Sequence, residues 1–251
     1  MQTTRYHGKN AKIYANGYST LRNYLQKISL SMSAESPEDT VIGATARSRV
    51  ADGIVDGSIS LDGNYDDTAS ASMAQVEAML GSQDVVYNVL PFGDSALGDY
   101  GLGLITVNND FKITGSYDDK VSFSAGGDVS GGHGIEITRT LVPLAAKTTS
   151  SNSTTLDNGA ATTNGGSAYI HCTAVSGLTS FIVTIKGSTT GSFGGEETTL
   201  GTFTTIATAN VAERIDFSGT VPRYVRAYWA IVGTSATVYV ALHRHYSTGG
   251  D

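Results

Sequence analysis

The stretch LQKISLSMSAESPEDTVIGATARSRVADGIVDGSISLDGNY, residues 25–65, decides how the rest of the chain is read. Near its start Ile28, Leu30 and Met32 alternate with Ser29, Ser31 and Ser33; near its end Ile59 and Leu61 alternate with Ser58, Ser60 and Asp62. A period of two sends apolar residues to one face of a sheet and hydroxyls to the other. The spacing predicts strands over 25–33 and 54–65 around a polar loop at 34–53. Val121 and Phe123, interleaved with Ser122 and Ser124, repeat the pattern on a third strand. A solvated face usually mixes Lys, Glu, Thr and Arg, so a face of small hydroxyls is unusually smooth.

The loop carries Glu35, Glu38 and Asp39 on its outgoing limb, Val41 and Ile42 near its middle, and Arg47 and Arg49 on its return. Loops of this length in a compact domain are usually functional or disordered. The Val41-Ile42 pair predicts a tip that packs against something, and the opposite charges of the limbs suit an extended hairpin or pairing with a neighbour.

Outward from this stretch the composition favours strands and turns, with 30 glycines against 4 prolines. A chain of 251 residues accommodates two ordinary domains or one large all-β domain. The net charge of −7 argues against a protein that neutralises phosphates. Residues 1–145 hold 17 acidic and 10 basic residues, whereas 146–251 hold 6 of each, which favours a boundary between them. The single cysteine, Cys172, excludes an internal disulfide and a cysteine-based zinc site, and its strand context predicts a small buried residue. Residues 1–12 contain no apolar h-region and no run approaches the length of a membrane span, so neither Sec export nor membrane insertion is expected.

Taken in order, residues 1–10 read as a polar arm and 11–15 as a strand closed by the Asn16-Gly17 turn. Met73, Val76, Met79 and Leu80 recur at helical spacing, predicting a helix over about 69–80 that buries one stripe, with Thr68 or Ser70 as its cap. Strands follow over 85–90, 101–107, 111–115, 121–126 and 135–144. The Ser/Thr/Asn-rich segment 146–158 reads as a linker. Beyond it, short strands over 168–175, 181–188, 198–206, 213–218, 223–231 and 237–245 have the spacing of a β-sandwich.

No Walker loop, nucleophile elbow or zinc-protease helix motif occurs, and Gly98, Gly101 and Gly103 precede a strand instead of opening a helix. An enzyme is not expected, and neither is a cofactor. His243 and His245 share one strand face; a surface pair is the simpler reading than a metal site. Asp66 with Asp67 and Asp118 with Asp119 offer calcium oxygens, but turn formation explains them as well and neither pair has EF-hand spacing. In RYVRAYW, Val225, Ala227 and Trp229 fit a core face, leaving Tyr224 and Tyr228 on the outer face as candidate sugar-stacking residues.

KNAKIYANGYSTLRNYLQKISLSMSAESPEDT (9–40), SRVADGIVDGSISLDGNYDD (48–67) and GDYGLGLITVNNDFKITGSYDDKVSFSAGG (98–127) together resemble the tail tube, or major tail, proteins of long-tailed bacteriophages. The resemblance covers roughly residues 8–145. It implies an all-β fold: an N-terminal β-sandwich or barrel with one flanking helix over 1–145. It also implies hexameric rings stacked into a tube that conducts the genome, with tape measure, terminator and distal tail proteins as further partners. The chain would be made in the host cytoplasm and reside in the virion. Ser29, Ser31, Ser58, Ser60, Asp62, Ser122 and Ser124 would line the lumen. Glu35, Glu38, Asp39, Val41, Ile42, Arg47 and Arg49 would contact the adjacent ring, because a long loop between early strands does so in that family. AYIHCTAVSG (168–177) and RYVRAYWAIVGTSATVYVALHRH (223–245) look like the Ig-like or jelly-roll-like sandwiches appended to phage virion proteins, implying a decoration domain over 159–251 on the tube exterior. The alternative is a carbohydrate-binding or adhesive module acting through that C-terminal sandwich.

Overall fold

The computed structural model describes residues 10–19, 21–34, 55–66, 72–94, 96–115, 117 and 120–245. The structure is nearly all β, and α1 (Ser72–Met79) is the one α-helix among the described residues. No helix there is long and apolar enough to cross a membrane. The chain divides into two compact units that exchange it several times: residues 24–84 and 104–135 form one, and residues 1–23, 85–103 and 136–250 the other. This differs from the sequence division at 145, and the reason is strand pairing. β7 (Glu136–Lys147) pairs with β13 (Tyr224–Arg244), matching Ala145 with Val238 and Lys147 with Ala236. Ser151–Asn152 (β8) and Leu156–Asp157 (β9) also pair with β13, and Leu156 is buried, so 146–158 is paired structure and not a linker.

In the smaller unit β2 (Leu25–Ala34) pairs with β3 (Val55–Asn64), β3 with β6 (Ser122–Val129), and β6 with residues 106–114 of β5 (Tyr100–Thr114). All four are antiparallel. Alternation decides their faces: Ile59, Leu61 and Phe123 are buried, while Ile28 and Leu30 are half-buried. Helix α1 buries Gln75, Val76 and Met79. Leu80, expected in that stripe, lies one residue past the helix and is 44% exposed. Gly81 turns the chain with φ +73 and donates its N–H to the Asn108 carbonyl at 2.9 Å, a helix stop that a β-carbon would strain. The candidate caps Thr68 and Ser70 fall outside the described residues.

The larger unit is organised by two long partners, β10 (Gly166–Ser188) and β13, paired from Gly166↔Arg244 to Ser188↔Tyr224. The sequence predicts four short strands here; the structure joins them pairwise through 176–180 and 232–236. Bulges after Cys172 and Leu178 let these long strands bend. Both halves contribute to one apolar core, with Ile170 and Cys172 from the first half of β10, Phe181, Val183 and Ile185 from the second, and Val225, Ala227, Trp229, Val238 and Val240 from β13. β12 (Val211–Phe217) lies beside the first half of β10 and β11 (Thr198–Thr202) beside the second. Cys172 is buried and free, and burial raises its thiol pKa to about 11.

The first half of β10 is buried on both faces. Its second face meets β1 (Lys12–Ala15) and β4 (Val85–Leu90), which pair with each other. There Tyr14 stacks on Tyr239 at 4.6 Å and His171 lies 5.6 Å from Tyr14. His171 Nδ1 accepts from the Gly17 N–H at 3.2 Å, so its Nε2–H is the proton facing Asn88 Oδ1 at 3.0 Å. Burial holds this imidazole neutral, with a pKa of about 3. Gly103 is required by the same layer: a β-carbon on it would stand 2.6 Å from the Tyr169 ring.

Two buried carboxylates fasten this unit. Asp94 accepts from Lys12 Nζ, from the Tyr14 hydroxyl and from the Leu144 N–H. Glu136 accepts from Ser167 Oγ at 2.7 Å, from the Tyr169 hydroxyl, and from Arg214 Nε and Nη2 at 3.2 and 2.6 Å. Burial raises the Glu136 pKa, but the hydrogen bonds and charge of Arg214, with Tyr169 and Ser167, outweigh it and hold the carboxyl below its usual range.

Candidate functional site

The structure brings the serine positions of all three strands onto one sheet face. β3 stands in the middle, with Ser29 opposite Ser60 and Ser31 opposite Ser58 on its β2 side. On its β6 side Asp62 stands opposite Ser124 and Asn64 opposite Ser122. Identical alternation on adjacent strands can only do this in register; a shift of one residue would set serines against leucines. Ser31 Oγ and Ser58 Oγ are 2.8 Å apart, and Ser122 Oγ donates to the Thr114 carbonyl at 3.3 Å. Ser31 is exposed, whereas Ser29, Ser58, Ser60, Asp62, Ser122 and Ser124 are half-buried among their neighbours.

Sequence reasoning missed the fourth strand of this face. Lys112 stands opposite Ser124, Thr114 opposite Ser122 and Asp110 opposite Gly126. Nothing in FKITG announces the match, because a bulge between Asn108 and Asp110 resets the alternation of β5. By parity Asp56 and Asp128 join the same face, as does Lys27, which stands opposite Asp62. The face is thus hydroxylated and weakly acidic, with Asp56, Asp62, Asp110 and Asp128 outnumbering its two long cations, Lys27 and Lys112. Val121, expected on the apolar side, precedes β6 and is 43% exposed.

The loop residues Glu35, Glu38, Asp39, Val41, Ile42, Arg47 and Arg49 lie outside the described residues, as do Asp67, Asp118 and Asp119. The base of the loop is described: Ala34 pairs with Val55. Within the larger unit, Val225, Ala227 and Trp229 are buried, leaving Tyr224 and Tyr228 half-buried on the other face. Each of these rings already carries a cation, Arg223 at 4.8 Å from Tyr224 and Lys186 at 4.9 Å from Tyr228. In the same unit Phe92, Tyr100 and Ile137 are exposed and, with Pro91, Gly101 and Leu102, line an apolar groove.

No family model matches the chain, and no curated protein sequence matches it. Among solved structures, a chain of the virion of a native gene transfer agent particle is similar with 16% identity and a TM-score of 0.41, over 53% of this chain and 98% of that one. A chain from the tail of an empty gene transfer agent particle, refined with C6 symmetry, gives 16% identity and 0.40 over 51% and 96%. The Dit protein of phage SPP1 gives 11% identity and 0.37 over 93% and 99%. These TM-scores are too low for the likeness to assign a function to the chain.

Proposed function

We propose that the chain is a structural subunit of a bacteriophage tail tube, assembling as stacked hexameric rings around a lumen that conducts the genome during ejection. The observation that supports this most is the hydroxyl face, held in register across four strands. A conduit must not grip its cargo, and every lysine–phosphate contact adds binding through counterion release. Serines and aspartates are short, hydrated, and neutral or repulsive toward phosphate. Such a face suits the inside of a channel, with Ser29, Ser31, Ser58, Ser60, Asp62, Ser122 and Ser124 lining it.

The loop at 34–53 is assigned the contact with the adjacent ring, its acidic limb meeting the Arg47 and Arg49 limb of a neighbour. Tape measure, terminator and distal tail proteins are the further partners in this reading, the virion is the location, and the role is structural rather than catalytic. Because residues 10–23 and 85–103 share a unit with 136–245, no separate exterior domain beginning at 159 is assigned.

Electron microscopy of the purified full-length chain tests this reading. Rings or tubes with a central channel are expected. A chain that stays monomeric and binds glycans, with binding lost in Tyr224→Ala or Tyr228→Ala, would favour the carbohydrate-binding alternative.

A further inference from the structure

We propose that Glu136, His243 and His245 form a divalent metal site, with Zn²⁺ as the preferred ion. The sequence shows only the two histidines, two apart on one strand. The fold supplies the third ligand from 107 positions upstream, on β7, and one ligand atom from each of the three lies within 4.8 Å of the others. His245 Nε2 is 3.8 Å from Glu136 Oε1, and the two imidazole rings are 5.1 Å apart.

The ring orientations point to the same chemistry. His243 Nδ1 faces the Ile137 carbonyl at 2.8 Å and His245 Nδ1 faces the Asn164 carbonyl at 3.1 Å. A carbonyl only accepts, so each Nδ1 donates its proton there, and in the neutral tautomer that this fixes, Nε2 is the nitrogen open to a metal. Metal-ligating histidines are typically fixed in this way, by donating the other ring N–H to a backbone carbonyl. Glu136 is equally set: Oε2 accepts from Ser167, Tyr169 and Arg214 Nε, while Oε1 accepts from Arg214 Nη2 and turns toward the histidines.

Charge and ligand type select the ion. Arg214 is shared between Glu136 and Asp216, at 2.6 Å each, so two carboxylates surround one guanidinium and the locality retains a negative charge. Two imidazoles and one carboxylate suit zinc and leave one position for water. Calcium and magnesium require a shell of oxygen ligands, and the cluster offers one carboxylate. Tetrahedral coordination needs donor separations of about 3.3 Å, given zinc–ligand bonds of about 2 Å, so binding draws the end of β13 slightly toward β7. A bound ion ties the start of β7 to the end of β13.

The test uses the full-length chain, stripped with EDTA and titrated with Zn²⁺ by calorimetry and with Co²⁺ by visible absorption. One equivalent per chain is expected, with the absorption of a four-coordinate cobalt site. His243→Ala should weaken Zn²⁺ binding by at least about 100-fold, since even outer partners of metal ligands cost 10–100-fold. His133→Ala, outside the cluster, should bind as the parent does. If His243→Ala does not fold by circular dichroism, His245→Gln takes its place with the same expectation. Failure of the parent chain to take up Zn²⁺, or uptake unchanged in the histidine variants, overturns the site.

Discussion

Ser31 and Ser58 face each other across β2 and β3 with their Oγ atoms 2.8 Å apart. The contact follows from pairing two strands of the same alternation in register, and it sets the parity of the entire face. Ser31 is exposed and Ser60 half-buried, so both positions can carry a longer side chain reaching into solvent. Replacing both with Arg should change unfolding free energy by less than about 1 kcal/mol, as expected for surface sites. In assembled particles the same variant should slow DNA release at low salt and recover at high salt, because the added cations bind phosphate. Release rates that match the parent at all salt concentrations would count against the channel assignment.

The Glu136–Arg214 pair makes a different demand. Both side chains are almost fully buried, at 5% and 2% exposure. Removing Arg214 strands the Glu136 carboxylate, which costs about 3–5 kcal/mol in comparable sites, whereas removing Glu136 leaves Arg214 paired with Asp216. Arg214→Met should show a loss of that size in urea unfolding, and Glu136→Gln a smaller one. The double variant should be less destabilised than the sum of the two. Strict additivity would mean that the two residues act separately.

His171 predicts the acid response of the fold. Its pKa falls from 6.5 to about 3 on folding, because it is buried. The unfolded chain therefore binds the proton first as pH drops, and stability present above pH 6.5 is lost progressively toward pH 3. At pH 4.5 this group alone accounts for about 3 kcal/mol. The depressed carboxyls of Glu136 and Asp94 add losses at lower pH still, as they are protonated. His171→Gln should flatten the stability profile between pH 7 and pH 4.5 relative to the parent. A parallel pair of profiles would show that His171 is not the group responsible.

Deletion of residues 37–47 should leave the β2–β3 pairing intact, because Ala34↔Val55 and the pairs beyond it do not include the deleted segment. Single rings should still form and their stacking should fail, since the charge-paired contacts assigned to the loop are lost six times per ring. Individually such exposed pairs contribute only about 0–1 kcal/mol. Tubes of normal length from the deletion would remove the loop from the inter-ring contact.

The strands of the serine face were legible because alternation is a local property: Ile59 and Leu61 against Ser58 and Ser60 fix parity wherever the strand lies. The core parity of Val225, Ala227 and Trp229 was legible for the same reason. What local pattern could not show was pairing at a distance. Leu156 sits in a polar segment, and its burial comes from pairing with Val225, 69 positions later. The length of β10 was hidden by Gly177, which reads as a turn but, at φ +50, lies within a continuous strand opposite β13. The two compact units likewise do not divide at 145. A chain ending at Ala145 would lose both β10 and β13, so it should not fold its larger unit, and proteolysis should spare 156–157.

The most direct measurement is a reconstruction by electron cryomicroscopy of the assembled chain, read at Ser31, Ser60 and Ser124. All three are expected to face the central channel, with Ile59, Leu61 and Phe123 turned away from it. Serines on the outer surface of the ring, or buried between subunits, would contradict the channel assignment.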